Sequence, residues 1–257
     1  MTTAEEIASY SDDLLESSGV ADYPNALNGL QLTNRGPVRA IAAAVDFSTR
    51  TLEGAAASGA NLLIVHHGMF WGGLERLVGI SYRRLRFLID HDVAVYSSHL
   101  PLDRHQSLGN NALLARRLGL QPTESFARHG DTYIGVAGTA DLETVTVGER
   151  AREFARSSGG DIRTTTINPG RRTKRWAICT GAGASAETLA EAAAMEVDTL
   201  IVGEGPHWTA VSAEERGLAI IYAGHYATET LGVRALAQHL SEKFSLPSSF
   251  VDAPTGL

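Results

Sequence analysis

The chain has 257 residues, enough to bury about three quarters of its unfolded surface in one large or two small domains without disulfide or metal staples. Its 44% hydrophobic and 20% charged residues are a globular balance that excludes a disordered or fibrous protein. The formal net charge of −7 is the wrong sign for general phosphate-backbone binding, so nucleic acid is not an expected partner.

In chain order, Met1 to Tyr10 is polar and acidic and lacks the basic-then-apolar order of a secretory leader. Arg39 to Ser48 reads as a strand, Ser48 as the N-cap of an Ala-rich helix, and Leu62 to Val65 as a short buried strand. Unbroken apolar stretches such as this are a few residues long where a membrane span needs about 20, so none is expected to cross a bilayer. Val93 to Asp103 is a β-rich run ending in a polar corner, and Asn110 to Leu120 is helical in pattern. A β-like run (Asp131 to Ala140), a helical stretch (Glu149 to Gly159) and another β-like run (Ile162 to Ile167) follow. The basic cluster Arg171 to Arg175, beside Pro169-Gly170, reads as a solvated loop. Arg175 to Ser185 is again a strand, with Ser185 as a second N-cap, followed by an Ala-rich helix and the short strand Thr199 to Val202. Cys179 falls in that strand and reads as a core residue; a lone thiol without a leader predicts a reducing, cytoplasmic setting. Ala219 to Gly224 is a last strand, and Thr230 to Leu240 a last helix.

These elements repeat. Leu52–Gly68 aligns with Leu189–Gly205 with eight identities in seventeen, and the same offset puts Ile41 on Ile178. A slightly shorter offset puts Val93–Asp103 on Ala219–Glu229, so that His99 matches His225 and Asp103 matches Glu229. The reading is therefore an α/β fold, a two-lobed subunit built from duplicated strand-helix-strand units over 38–120 and 175–245, with a β/α segment over 126–174 between them. Alternation of strands and helices implies largely parallel pairing, helices on the sheet faces and ligand sites at strand C-terminal ends, where the histidines fall.

His66-His67 closes the strand LLIV before Gly68 and is a metal-ligand candidate, or simply two histidines in a turn. His225 and Glu229, four residues apart at a helix start, face one side as chelation requires; an ordinary turn histidine beside a capping glutamate has the same pattern. His99 and Asp103 are their counterparts. Imidazole nitrogens with carboxylate oxygens suit zinc, iron, manganese, cobalt or nickel, and five such ligands suggest two ions. Paired ions held by bridging carboxylates can activate a water and polarise a carbonyl or phosphoryl oxygen. Gly181-Ala-Gly183-Ala-Ser-Ala186 matches a dinucleotide fingerprint on paper, yet the first copy has no glycines there; helix initiation or a phosphate contact are the other readings. Trp71 either stacks on a planar substrate or packs under its loop. His91, His105, His129 and His239 lack matched partners and read as surface residues.

Asn28-Gly29-Leu30-Gln31, LLIVHHGMFW ending at Trp71, SSHLPLD ending at Asp103, TGAG from Thr180, VGEGPH from Val202 and GHYATE from Gly224 occur in that order. Together they resemble the dinuclear-metal-centre family known as GTP cyclohydrolase I type 2 homologues, or NIF-three-like proteins, over nearly the whole chain. The resemblance implies a two-lobed subunit in a toroidal homo-hexamer, with two divalent ions per chain in the cleft between lobes. Its ligand pattern maps onto His66, His67, Asp103, His225 and Glu229, with Glu229 bridging and His99 a close neighbour. Glu204 stands where many relatives have Asp, and His207 follows as a proton shuttle or orienting partner. With about 50 residues between the copies, the chain is similar to the compact form of the family. The functional expectation is a metal-dependent hydrolase acting on a nucleotide or similar small molecule, with Glu229, His99, Glu204 and His207 as its catalytic candidates. The alternative is a non-catalytic metal-binding ring that recruits a protein partner.

Overall fold

The computed structural model describes residues 1–256. They form two compact units, Met1–Leu102 with Gly232–Ala253 (unit 1) and Asp103–Leu231 with the residues from Pro254 onward (unit 2). Among the described residues no helix is long and apolar enough to cross a membrane.

The chain begins with a helix that the sequence reading did not include. Thr3 accepts the Glu6 amide while the Glu6 carboxylate accepts the Thr3 amide, a capping box that opens α1 (Ala4–Leu14) and is legible in the order Thr-x-x-Glu. β1 (Gly29–Leu32), β2 (Ile41–Asp46), α2 (Thr49–Ala57), β3 (Leu62–His67), α3 (Gly79–His91), β4 (Ala94–Ser97) and the single turn α4 (Leu100–Asp103) follow. Unit 2 continues with α5 (Asn110–Arg117), β5 (Glu124–His129), β6 (Thr132–Glu143), α6 (Thr144–Ser157), β7 (Arg163–Thr164), β8 (Arg172–Cys179), α7 (Ala186–Ala194), β9 (Thr199–Val202), α8 (His207–Glu215) and β10 (Ala219–Tyr222). α9 (His225–Phe244) begins in unit 2 and ends in unit 1, where β11 (Ser248–Phe250) completes the elements.

Unit 1 holds a five-stranded sheet in the order β1-β4-β3-β2-β11. β11, β2, β3 and β4 pair in parallel, and only β1 is antiparallel. The strands are short and apolar on both sides, as parallel strands covered on both faces must be. Ala42, Ala44, Leu63, Val65 and Val95 pack with Leu52, Ala55 and Leu88 of the helices, while Ile41, Ala43, Leu62 and Ile64 are also fully buried. Ser48 caps α2 through the Thr51 amide, as its position after a strand suggested.

Unit 2 holds a six-stranded sheet in the order β5-β6-β8-β9-β10-β7. The repeat reappears as parallel β8-β9-β10, with antiparallel β5, β6 and β7 extending it. Side chains alternate across the sheet: Trp176, Ile178, Ile201 and Ile221 pack with Leu114, Val147 and Phe154. Ala177, Cys179, Leu200, Val202 and Ile220 pack on the other face with Leu189 and Ala213. Ser185 caps α7 as Ser48 caps α2.

Two readings need correction. The basic run is not a loop: Arg172 opens β8 and pairs along β6, and Asp141 of β6 accepts from Arg172 while Glu124 of β5 accepts from Arg175, which relieves the charge. Of the β-like run Ile162–Ile167, only Arg163 and Thr164 form a strand.

Candidate metal centre

In unit 1, parallel pairing sets the C-terminal ends of β2, β3 and β4 side by side, with Asp46 in register with His67 and Val65 with Ser97. His66 and His67, the last residues of β3, are 0% and 7% exposed, and His99, just after β4, is 7% exposed. Their ring centroids lie 4.9 Å (His66 to His67), 4.8 Å (His66 to His99) and 5.7 Å (His67 to His99) apart. Each ring is held through Nδ1. His66 donates to the Ser98 carbonyl at 2.9 Å, His67 to Asp46 at 2.8 Å and His99 to Asp22 at 2.9 Å. A carbonyl or carboxylate oxygen only accepts, so Nδ1 is the donor in each ring and a neutral ring would carry its lone pair on Nε2.

Asp22 also accepts the Leu100 amide at 2.9 Å and the Asn28 amide group at 2.8 Å, while Asn28 accepts the His99 amide at 2.7 Å. Burial raises the Asp22 carboxyl, but the His99 hydrogen bond and charge, with Asn28 and the Leu100 amide, outweigh this and hold it at about 2. Trp71 lies against the cluster, its centroid 4.6 Å from both His67 and His99. Asn25 donates to the Trp71 carbonyl. Gln31 accepts the Met69 amide at 2.6 Å and donates to the carbonyls of Ala26 and Leu27 at 3.1 and 3.0 Å. Gly68 is small because of this contact: a Cβ there would overlap the Gln31 amide group. Both histidines lie within β3, which ends at His67 directly before Gly68.

In unit 2, backbone bonds from Glu204 to Gly181 and from Gly224 to Gly203 tie together the turns after β8, β9 and β10. α9 starts in the last of these turns and brings His225 and Glu229 to one side, with Nε2 3.1 Å from the Glu229 carboxylate. Nδ1 lies 2.7 Å from Glu204. Burial lowers the His225 pKa, but Glu229 and then Glu204 outweigh it through hydrogen bonds and charge, raising it to about 9. Glu229 is 3% exposed and Asp103 is 6% exposed, the latter receiving the Asn110 side chain at 2.8 Å. Cys179 is buried, and desolvation followed by the charges of Asp103, Glu191 and Glu229 pushes its thiol up, so it is a core residue and no nucleophile. His207 is exposed at the start of α8, and no hydrogen bond among the described residues joins it to Glu204, His225 or Glu229.

The glycine-rich turn fits the carboxylate. Gly181 has φ +62°, and a Cβ there would overlap Oε1 of Glu229; one at Gly183 would overlap the Cys179 carbonyl, and one at Gly203 the Gly181 backbone. The glycines that look like a dinucleotide fingerprint are required here by close packing, Gly181 against Glu229 and Gly183 against the Cys179 backbone.

Imidazole and carboxylate donors without thiolate suit borderline and harder divalent ions, and the fixed Nδ1 partners are those that ligating histidines use. Asp22, Asp46 and Ser98 were missed by the sequence reading. Asp46 could have been found, since it ends the strand paired with β3; Asp22 lies in a loop with no periodic signal.

The family profile described as Duf34/NIF3 (NGG1p interacting factor 3) matches residues 2–254. The chain is 42% identical over 241 residues to a Deinococcus radiodurans protein named GTP cyclohydrolase 1 type 2 homolog, across 93% of this chain and 89% of that one. It is 39% identical to a Halobacterium salinarum protein of the same name across 100% of both chains. Among solved structures, protein ybgI, of unknown function, superposes with a TM-score of 0.89 at 32% identity over 100% of both chains. Reduced HcgD from Methanocaldococcus jannaschii shares the fold at a TM-score of 0.83, with 22% identity over 98% of each chain.

Proposed function

Because the chain belongs to the Duf34/NIF3 family, we propose that it is a dinuclear-metal hydrolase acting on a nucleotide or similar small molecule, with zinc, iron, manganese, cobalt or nickel as its ions. Three buried imidazoles with Nδ1 committed to acceptors support this reading most directly, since that is how a protein readies Nε2 for a cation. His66 and His67 of unit 1, and Asp103, His225 and Glu229 of unit 2, are the residues that would hold two ions per chain. The family's GTP cyclohydrolase name suggests a purine nucleotide as substrate. A homo-hexamer in the cytoplasm completes the reading.

When bound, the ions supply Lewis acidity that activates water and polarises a carbonyl or phosphoryl oxygen. The protein's own groups do the rest. Glu204 keeps the proton of His225 on Nδ1 and so aims Nε2 at the ligand side. Asn110 donates to one oxygen of Asp103 and so orients the carboxylate. His207, exposed one turn beyond Glu204, is the group that exchanges a proton with substrate or solvent.

Purified protein is expected to turn over GTP or another nucleotide only with divalent metal, and Glu229→Ala to be slower by about 100-fold or more, as for loss of a group acting directly in the transition state. Equal rates in steady-state assays would reject the role of Glu229. The exposed apolar residues Leu74, Leu77, Val78 and Ile80 favour a second reading, a non-catalytic metal-binding ring that recruits a protein partner. No turnover across a broad substrate panel with fully loaded protein would decide for it.

A further inference from the structure

A pocket in unit 1 has no part in holding a cation. Its floor continues the strands that carry the histidines: Phe47 follows Asp46 and donates its amide to the His67 carbonyl at 2.9 Å, and Met69 and Phe70 follow Gly68. These three, with Leu85 of α3, wall a pocket of about 480 Å³ counted with its open mouth, and Glu75 and Arg84 are its charged lining residues. Ser81, Arg84 and Leu85 reach it together because they stand at i, i+3 and i+4 on one face of α3. We propose that this pocket recognises a flat amino-oxo heterocycle, with Glu75 and Arg84 reading the ring's edge and Phe47 its face. The inference rests on the nucleotide reading of the proposed function and deepens it, naming residues that select the base.

The two charges line one pocket, yet among the described residues no ion pair joins them. Ser81 donates to Oε1 of Glu75 at 2.7 Å and orients the carboxylate. Arg84 donates through Nε to the Thr49 hydroxyl at 3.3 Å, and its guanidinium carbon lies 5.8 Å from the centroid of the Phe47 ring. Each charge is thus placed by a neutral hydroxyl and keeps hydrogen-bonding capacity to spare. The carboxylate can only accept, and the terminal nitrogens of the guanidinium can only donate.

That pairing selects among ligand classes. A phosphate or carboxylate drawn to Arg84 would meet the like charge of Glu75, and an ammonium drawn to Glu75 would meet Arg84. A neutral ring whose edge carries N–H donors beside a carbonyl answers both at once. Its faces suit walls made of two aromatic rings and a thioether. Leu74, 101% exposed at the mouth, is apolar surface that such a ring would cover. Guanine has this edge, with the ring N–H and the 2-amino group donating next to the carbonyl. Hypoxanthine lacks the amino group, and adenine lacks the carbonyl.

The test is isothermal titration calorimetry of the full-length protein with guanosine, inosine and adenosine, both as purified and after chelator treatment. Wild type is expected to prefer guanosine about 10-fold over inosine and about 100-fold over adenosine in both forms. Glu75→Ala should abolish the preference for guanosine over inosine, which a merely structural role would not do. Arg84→Ala should weaken both by about 10-fold and keep their ratio. If Arg84→Ala fails to fold by circular dichroism, Arg84→Lys, which keeps the charge and loses the planar fork, is expected to show the same loss and decides. Equal affinities for the three nucleosides, no nucleoside bound by either form, or a guanosine preference that survives Glu75→Ala overturns the pocket. Metal-dependent turnover of GTP with wild-type KM in both variants also overturns it and leaves the hydrolase reading standing. The expected binding pattern without turnover supports the pocket and overturns the hydrolase reading.

Discussion

If Glu229 is a metal ligand as proposed, Gly181→Ala is expected to lower metal binding as thoroughly as loss of Glu229 itself. The new methyl would occupy the place of Glu229 Oε1 and come close to Nε2 of His225. Glu229 is 3% exposed and sits in the first turns of α9, whose backbone is fixed by hydrogen bonds, so its carboxylate must rotate away. The backbone adds its own penalty, because φ +62° costs a residue with a Cβ about 1–2 kcal/mol. Gly217→Ala separates the two effects: its φ is +66°, but a Cβ there meets nothing within 4 Å. Elemental analysis after dialysis should show metal content lowered in Gly181→Ala and kept in Gly217→Ala, with both variants less stable. Full metal content in Gly181→Ala would mean that Glu229 is not held where the turn places it.

Trp176→Ala is expected to destabilise unit 2 by about 3–5 kcal/mol, the range for truncating a large buried aromatic. Trp176 is 0% exposed in β8 and packs with Leu114, Val147, Ala151 and Phe154. Its cross-strand partner is Gly138, where any Cβ would press on the indole. The indole Nε1 is buried with no hydrogen-bond partner, an unmet donor that costs about 1–3 kcal/mol. Trp176→Phe removes that donor while keeping most of the ring, so its loss should be far smaller than that of alanine. Urea unfolding followed by circular dichroism checks both. Equal losses for the two variants would show that the unmet donor carries no penalty.

The parallel cores of both sheets could be read from the chain because Leu52–Gly68 and Leu189–Gly205 repeat each other, and a repeat exposes strand, helix and strand without any structure. Ser48 and Ser185 were legible for the same local reason, a hydroxyl placed just before a helix. His66 and His67 were visible as candidates because they end a strand, and His225 because it follows one at a helix start, four residues before Glu229. Their partners were not. Asp22 and His99 are 77 residues apart, and a hydrogen bond between distant loops leaves no period in the sequence. The basic run was misread since its charge is answered across the sheet by Asp141 and Glu124, which only pairing reveals. Gly181 and Gly183 looked like a phosphate cradle because close packing and phosphate binding ask for the same absence of side chains.

The Gln31 amide group joins Ala26, Leu27 and Met69, and Asn25 holds the Trp71 carbonyl. An ion held by His66 and His67 would sit behind this latch, and the latch would govern residence time where the imidazoles would govern affinity. Three hydrogen bonds at about 1 kcal/mol each would slow opening by up to about 100-fold. Gln31→Ala should then speed both entry and escape while leaving the equilibrium constant nearly unchanged, as read by stopped-flow transfer of cobalt to a chelator. Unchanged escape in that variant would place the barrier elsewhere; accelerated escape would make Gln31 the residue that sets how long a bound ion stays.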